Sequence, residues 1–296
     1  MGLPFINRCI ILTMLFVVCL ADDSEDVCNQ VINIHGGYRT GSSGTKSCVT
    51  EKSMEEMMRQ MFINISSVLE DNISKNRSCR KTNIKPRDCQ DIKNEGHRTT
   101  GIYTIYPGAG QREIRVRCDM DTTTGGWTVI QRRIFDTDFF KTWYDYKIGF
   151  GNLSDNFWLG NDNIHEISTQ NVYQLRVDMT SNDDETAFAE YKIFLVGDSN
   201  SNYRLLVDWF IGGNAGDSLG YHNGQRFSTR DRDNDPSGRH CAQIRPGGWW
   251  FKDCLLSNLN GDYGKTSAGV GPIWHSWKGY NVPMKITEMK IRPSYT

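Results

Sequence analysis

Thirty residues near the C-terminus, QRFSTRDRDNDPSGRHCAQIRPGGWWFKDC (225–254), limit what this chain can fold into more than any other stretch. They combine carboxylates at alternate positions (Asp231, Asp233, Asp235), a turn at Pro236, Ser237 and Gly238, two cysteines and the pair Trp249-Trp250. Long loops in a compact domain are usually functional, or held by metal and disulfide. Alternating acids in an irregular loop can converge their oxygens on one point, which suits a hard cation such as calcium that also accepts backbone carbonyls. A second reading stays open: a solvated turn whose acids are balanced by Arg230, Arg232 and Arg239. The EF-hand order of ligands with its closing Glu is absent.

At the other end, Arg8 precedes an apolar run from Cys9 to Leu20 that stops at Ala21, Asp22 and Asp23. That pattern predicts a secretory signal peptide over residues 1–21. The run is short for a membrane span, and no later segment is apolar for long enough, so a secreted, extracellular protein with no membrane span is expected. Cys9 and Cys19 leave with the leader, and Cys28, Cys48, Cys79, Cys89, Cys118, Cys241 and Cys254 remain. An odd number of cysteines in a secreted chain points either to an intermolecular bridge or to one local bridge and a free thiol among Cys28, Cys48 and Cys79. A formal net charge of -1 gives no electrostatic footprint for nucleic acid or an anionic membrane.

Residues 22–50 are polar and rich in Gly and Ser, and read as a flexible arm. Over 51–71 the spacing of Met54, Met58, Met61, Ile65 and Val68 follows an a/d heptad rhythm and predicts a short helix. It forms either a coiled coil supported by Cys28, Cys48 and Cys79 as interchain disulfides, or an amphipathic helix against its own domain. Isolated helices of this length are marginal in water, which keeps both open. Sequons place glycosylation at Asn64, Asn72, Asn76 and Asn152, and residues 72–85 read as a linker.

From residue 86 to 296 the pattern changes to short β-like runs punctuated by Gly and Asn. Strands are predicted at 102–107, 113–118, 127–133, 172–179 and 187–196, with helices around 87–95, 139–146 and 164–168. The expected class is α+β, rich in antiparallel strands. From about 212 to 281 regular periodicity is nearly absent. Gly216-Asp217-Ser218-Leu219-Gly220, with His222 nearby, matches G-x-S-x-G, but that string marks a nucleophile only on a strand-to-helix elbow. A polar loop follows here, so no enzyme is expected. No HExxH or paired CxxC suggests zinc.

Several phrases carry a resemblance: CDMDTTTGGWTVIQRR (118–133), GFGNLSDNFWLGNDNIH (149–165), GNAGDSLGYHNGQRFST (213–229), SNLNG (257–261) and WHSWKGYNVPMKITEMKIRP (274–293). Over about the last 210 residues the chain resembles the fibrinogen-related (fibrinogen C-terminal) domain, and within it the tachylectin and ficolin-like invertebrate lectins. The resemblance implies a globular domain with a twisted, mostly antiparallel central sheet and a loop-built subdomain for calcium and ligand. It also implies pairing of Cys89 with Cys118 and of Cys241 with Cys254. Calcium would be bound by the side chains of Asp233 and Asp235 and the carbonyls of Ser237 and Arg239, with Asp231 outside that set.

In acetyl-binding members a cis peptide, here Asp253–Cys254, aims backbone N–H groups at the ligand. Cys254, Leu255 and Tyr280 occupy such positions. The chain departs from the pattern at Leu255, where His is common, and at Arg245, which replaces a tyrosine. The loop 266–274 is shorter, so that Ala268 or Gly269 stands where another tyrosine would. Arg245 at the wall favours an anionic glycan. Alternatively, Trp249 and Trp250 are core and the pocket is vestigial. The resemblance thus implies a calcium-containing lectin of innate immunity. It would bind acetylated or anionic glycans on microbial surfaces and agglutinate as a homo-oligomer. The alternative is a non-lectin fibrinogen-domain protein that binds protein partners.

Overall fold

The protein is described by a computed structural model for residues 85–108 and 112–294, together with the backbone of 9–12 and 16–19. The chain divides into two units, Met1–Thr82 and Asn83–Thr296. In the first, strands β1 (Cys9–Leu12) and β2 (Phe16–Cys19) pair antiparallel within the run read as a leader. The helix expected over 51–71, the cysteines at 28, 48 and 79, and the sequons at 64, 72 and 76 lie outside the described residues.

In the second unit, alternation builds the sheet. Along β8 (Tyr173–Ser181) every second side chain is buried, and β9 (Thr186–Val196) largely repeats the pattern, as a strand with one face on a core requires. The remaining strands are β3 (Gly101–Ile105), β4 (Ile114–Asp119), β5 (Trp127–Arg133), β6 (Phe150–Gly151), β7 (Phe157–Trp158), β10 (Leu205–Gly212) and β13 (Met284–Pro293). They form one nine-stranded sheet in the order β10-β9-β8-β13-β5-β4-β3, with the β6-β7 hairpin paired to β5. Every one of these pairings is antiparallel. The last strand in sequence therefore lies at the centre of the sheet, so the long irregular segment before it is closed at both ends by ladder hydrogen bonds.

Short helices pin the sheet. Asp88 caps α1 (Cys89–Asn94) by accepting from the N–H groups of Gln90 and Asp91. Helix α2 (Trp143–Ile148) starts later than the expected 139–146, because Thr142 and Asp145 form a reciprocal capping box that fixes its first turn. Helix α3 (Asn161–Ser168) begins three residues earlier than expected and buries Ile164 and Ile167. The segment up to β13 holds only a 3-10 turn (Gly220–His222), α4 (Cys241–Ile244), the two-residue pair β11 (Ser257–Asn258) and β12 (Ile273–Trp274), and α5 (His275–Lys278).

Both disulfides form as the resemblance implied: Cys89–Cys118 spans 29 residues and Cys241–Cys254 spans 13. Loop-closure entropy gives each about 3–4 kcal/mol of stabilisation. Trp249 and Trp250 are fully buried. Trp250 packs with Trp158, Phe194 and Phe227 at ring distances of 6.0, 6.5 and 5.2 Å. These two indoles are therefore core and leave the ligand face to other side chains. Lys290 is also buried, its ammonium 2.5 Å from Asp119, 2.7 Å from Asp178 and 3.1 Å from Glu288. A lone ammonium there would be very costly, and three carboxylates compensate it.

Candidate functional site

The acidic loop folds back on itself. The N–H of Asp235 donates to Asp233 Oδ1 at 3.2 Å, Ser237 N–H to Asp235 Oδ1 at 3.1 Å, and Cys241 N–H to Asp235 Oδ2 at 3.1 Å. Burial and then the neighbouring Asp233 carboxylate push Asp235 up to about 6. Two acids brought this close repel each other unless a proton or a cation lies between them. The carbonyls of Ser237 and Arg239 meet no donor among the described residues. Two carboxylates and two free carbonyls fit a hard, oxygen-seeking cation.

Asp231 has a different task. It accepts from the Trp143 N–H at 2.8 Å and from Thr229 Oγ1 at 2.7 Å, which ties the loop to the start of α2.

Beside this loop lies a cleft of about 170 Å³ lined by Arg239, Arg245, Asp253, Cys254, Leu255, Ala268 and Tyr280. The five residues singled out for ligand binding thus come together, although 35 positions separate Arg245 from Tyr280. Short contacts brace the walls. Tyr280 OH donates to the Leu255 carbonyl at 3.3 Å and its ring packs at a tilt against His275, centroids 4.3 Å apart. Gly269 N–H donates to the Tyr280 carbonyl at 2.9 Å, and the Arg245 guanidinium donates to the Ala268 carbonyl. The Asp253–Cys254 peptide is trans, as is every peptide among the described residues, so the expected cis bond is not formed.

Sequence reasoning missed the residue that shapes the cleft floor from behind. His222 is fully buried. Its Nδ1–H donates to the Trp250 carbonyl at 2.7 Å, and Nε2 accepts from the N–H groups of Leu256 at 3.2 Å and Ser257 at 3.0 Å. Burial holds its pKa down to about 4, so the imidazole is neutral and spans both ends of the segment carrying Cys254. A Tyr-His-Asn-Gly string gives no hint of this, because the partners lie about thirty residues on.

The G-x-S-x-G string has no nucleophile geometry. Ser218 is buried against Ser276, Oγ to Oγ at 2.8 Å, and both nitrogens of His222 are committed to backbone. A larger depression of about 490 Å³ lies at Arg112, Asp162, His165 and Glu166, but its charges are mutually paired. Arg112 meets Glu166 at 2.8 Å, Lys147 meets Asp162 at 2.7 Å, and His165 Nδ1 lies 2.8 Å from the Val196 carbonyl. Asn152 is exposed in the β6-β7 turn, where its Oδ1 accepts from the Ser154 N–H.

A family model described as the C-terminal globular domain of fibrinogen beta and gamma chains matches residues 85–294. Over 210 residues the chain is 48% identical to tenascin-R of Gallus gallus and to tenascin-R of Mus musculus, covering 70% of this chain and 15% of each relative. The chain therefore spans about 15% of the length of these curated relatives. Among solved structures, the fibrinogen-like globe domain of human ANGPTL2 aligns with a TM-score of 0.69 at 39% identity, covering 71% of this chain and all of that one. A lamprey fibrin D-dimer complexed with the peptide ligand Gly-His-Arg-Pro-amide aligns with a TM-score of 0.67 at 29% identity, covering 83% of this chain and 88% of that one. The emphasis thereby moves from tachylectins and ficolins to tenascins and angiopoietin-like globes. With its sheet, the Cys89–Cys118 and Cys241–Cys254 disulfides and the match over residues 85–294 in agreement, this chain belongs to the fibrinogen C-terminal domain family.

Proposed function

We propose that this chain is an extracellular protein-binding module that presents the face around the Cys241–Cys254 cleft to a partner polypeptide. The composition of that cleft carries the reading. A site for an N-acetyl sugar wants aromatic walls on which a sugar face can stack, and the lining here has one ring, Tyr280, beside Leu255, Ala268 and two arginines. At about 170 Å³ the cleft is also smaller than the ~300–1,000 Å³ typical of pockets that engulf a small ligand. It suits a side chain delivered by a surface that docks around it. The identity with tenascin-R and the likeness to a fibrin solved with a peptide ligand favour the same reading over a lectin of innate immunity. An extracellular setting follows from the leader-like run at 9–20 and from disulfides that persist only in oxidising compartments.

In this reading Asp233, Asp235 and the carbonyls of Ser237 and Arg239 hold calcium. The ion neutralises the paired acids and stiffens the loop behind the cleft. Chains linked through Cys28, Cys48 and Cys79 would raise avidity without any new contact.

The test passes an extract of extracellular-matrix proteins over the immobilised chain, and separately passes the chain over N-acetylglucosamine resin, each with calcium and with chelator. Polypeptides retained in the presence of free N-acetylglucosamine are the expected result. Retention on the sugar resin alone, released by the free sugar, would overturn the proposal and restore the lectin.

A further inference from the structure

The cleft holds positive charge that its surroundings leave partly uncancelled. Arg239 and Arg245 both line it, and Asp253 is the one acid in its walls. Asp253 lies 3.7 Å from Arg239, in an ion pair whose two side chains are mostly exposed. Arg245 has no carboxylate partner among the described residues. Its hydrogen bond to the Ala268 carbonyl fixes the guanidinium and leaves its other donors uncommitted. The side chain is half-buried, and a Cβ built on Gly269 would stand 3.5 Å from both Arg245 Cζ and Leu255 Cδ1, so the cation and the leucine methyls share one wall.

The floor adds a second observation. Cys254 and Leu255 are buried, and their backbone N–H groups meet no acceptor among the described residues. Buried N–H groups are almost always paired in native proteins. Here two consecutive N–H groups border a space that also contains a guanidinium with donors left over. Donors therefore outnumber acceptors around this space, a balance that favours an oxygen-rich, negatively charged group.

We propose, resting on the reading of this face as a protein-binding site, that the cleft receives the carboxylate of a Glu or Asp side chain from the partner. The carboxylate forks on Arg245, the geometry in which guanidinium and carboxylate match best. The methylene stem lies against Leu255. Size agrees, because about 170 Å³ equals roughly six waters at ~30 Å³ each, which is room for one side-chain head group. Charge separates this site from the ligand of the lamprey relative. Gly-His-Arg-Pro-amide ends in an amide and carries only positive charge, from its amino terminus, its Arg and a protonated His. Two arginines would repel it, so this chain has the opposite charge preference.

The experiment titrates the ¹⁵N-labelled full chain, with calcium present, against four probes. These are Gly-Ser-Glu-Ser-Gly-amide, its Gln twin Gly-Ser-Gln-Ser-Gly-amide, Gly-His-Arg-Pro-amide and 3′-sialyllactose, with the amide signals of Cys254, Leu255 and Gly269 as readout. The Glu peptide is expected to bind at least about tenfold more tightly than the Gln twin, as for one charge-assisted hydrogen bond. Arg245→Gln is expected to erase that difference, and Arg245→Lys to keep part of it. Unchanged melting temperatures would show that both variants fold.

Equal binding of the Glu and Gln peptides, or preference for Gly-His-Arg-Pro-amide, overturns the proposal. Tighter binding of sialyllactose at the same amides assigns the anion site to a glycan and overturns it too. If matrix polypeptides are retained equally by the native chain and by Arg245→Gln, the acidic-residue proposal fails while the protein-binding reading stands. If no polypeptide is retained at all, the reading itself has failed.

Discussion

Acidification should loosen this protein through His222, and the size of the effect can be worked from its surroundings. The ring gives its one N–H to the Trp250 carbonyl and accepts two backbone N–H groups at Nε2. A proton added at Nε2 would point at two donors and charge a group with no solvent contact. The folded chain therefore takes that proton only below about pH 4, whereas an ordinary imidazole takes it below 6.5. Between those values the unfolded state binds more protons, so stability falls as pH drops through 6.5, and the loss is complete below about 4. The gap, at 1.36 kcal/mol per pH unit, amounts to about 3 kcal/mol.

Other groups titrate in the same window with the opposite sign. Asp235, held up at about 6 by burial and the neighbouring Asp233, costs stability above pH 6 and relieves that cost as the pH falls. A comparison with His222→Gln cancels this, because both proteins carry Asp235. Urea unfolding of the two proteins at pH 7, 6, 5 and 4, with chelator throughout, gives the difference directly. The native chain should be the more stable by about 1–3 kcal/mol at pH 7, the cost of leaving buried backbone groups unpaired. That advantage should shrink towards zero or invert by pH 4. A stability difference that stays constant across the series would refute the assignment of a neutral, doubly accepting imidazole.

Further outcomes follow from the buried charge cluster, the acidic loop, Trp209 and Trp250. Lys290→Met should cost about 3–5 kcal/mol in urea unfolding at pH 7, since it leaves Asp119, Asp178 and Glu288 crowded without their cation. Asp119 is buried, which by itself would raise its pKa, but Lys290 holds it down to about 2; its contribution of about 2 kcal/mol should be present above pH 3.8 and vanish as the pH falls through 2, a step absent from the methionine variant. Calcium at a hundred times its dissociation constant should stabilise the native chain by about 2.7 kcal/mol and leave Asp233→Ala/Asp235→Ala unmoved, read as a rise in Tm. Trp209→Gly should change stability by less than about 1 kcal/mol: the indole is 58% exposed, its backbone sits at φ 52°, and relief of left-handed strain offsets the lost contact with Lys192. Trp250→Ala, by contrast, should cost about 3–5 kcal/mol.

The sheet was legible because its signal is local and periodic. Trp127–Arg133 and Tyr173–Ser181 show their pattern within a few residues, and a period of two admits little else. The gathering of Arg245, Leu255, Ala268 and Tyr280 into one cleft was legible only through family phrases, since no periodicity connects them. Two features were invisible for a physical reason. The role of His222 is set by Trp250 and Ser257, and hydrogen bonds across such a distance leave no trace in local composition. The left-handed backbone of Trp209 contradicts what its side chain prefers, so any reasoning from propensity must miss it. The trans peptide at Asp253–Cys254 corrects an expectation that came from resemblance alone.

These observations explain how a segment with almost no secondary structure can hold a specific cleft. Three clamps act on residues 235–257. The Cys241–Cys254 bridge joins the middle, Asp235 accepts the N–H groups of Ser237 and Cys241 at one end, and His222 spans Trp250 to Ser257 at the other. The first is covalent, and the two polar clamps satisfy backbone groups that a helix or strand would otherwise satisfy. The segment buries Trp249, Trp250 and Phe251 beneath the clamps, so its inner side is fixed by packing while its outer side stays free of it. The backbone N–H groups of Cys254 and Leu255, and the guanidinium donors of Arg245 beyond the one given to Ala268, are consequently held in place without being spent on the fold. Uncommitted donors on a rigid support are what recognition of an anion requires, because the cost of ordering them is met on folding and not on binding. Substitutions in the clamps should therefore weaken ligand binding without touching the ligand, whereas Arg245 should govern which ligand binds.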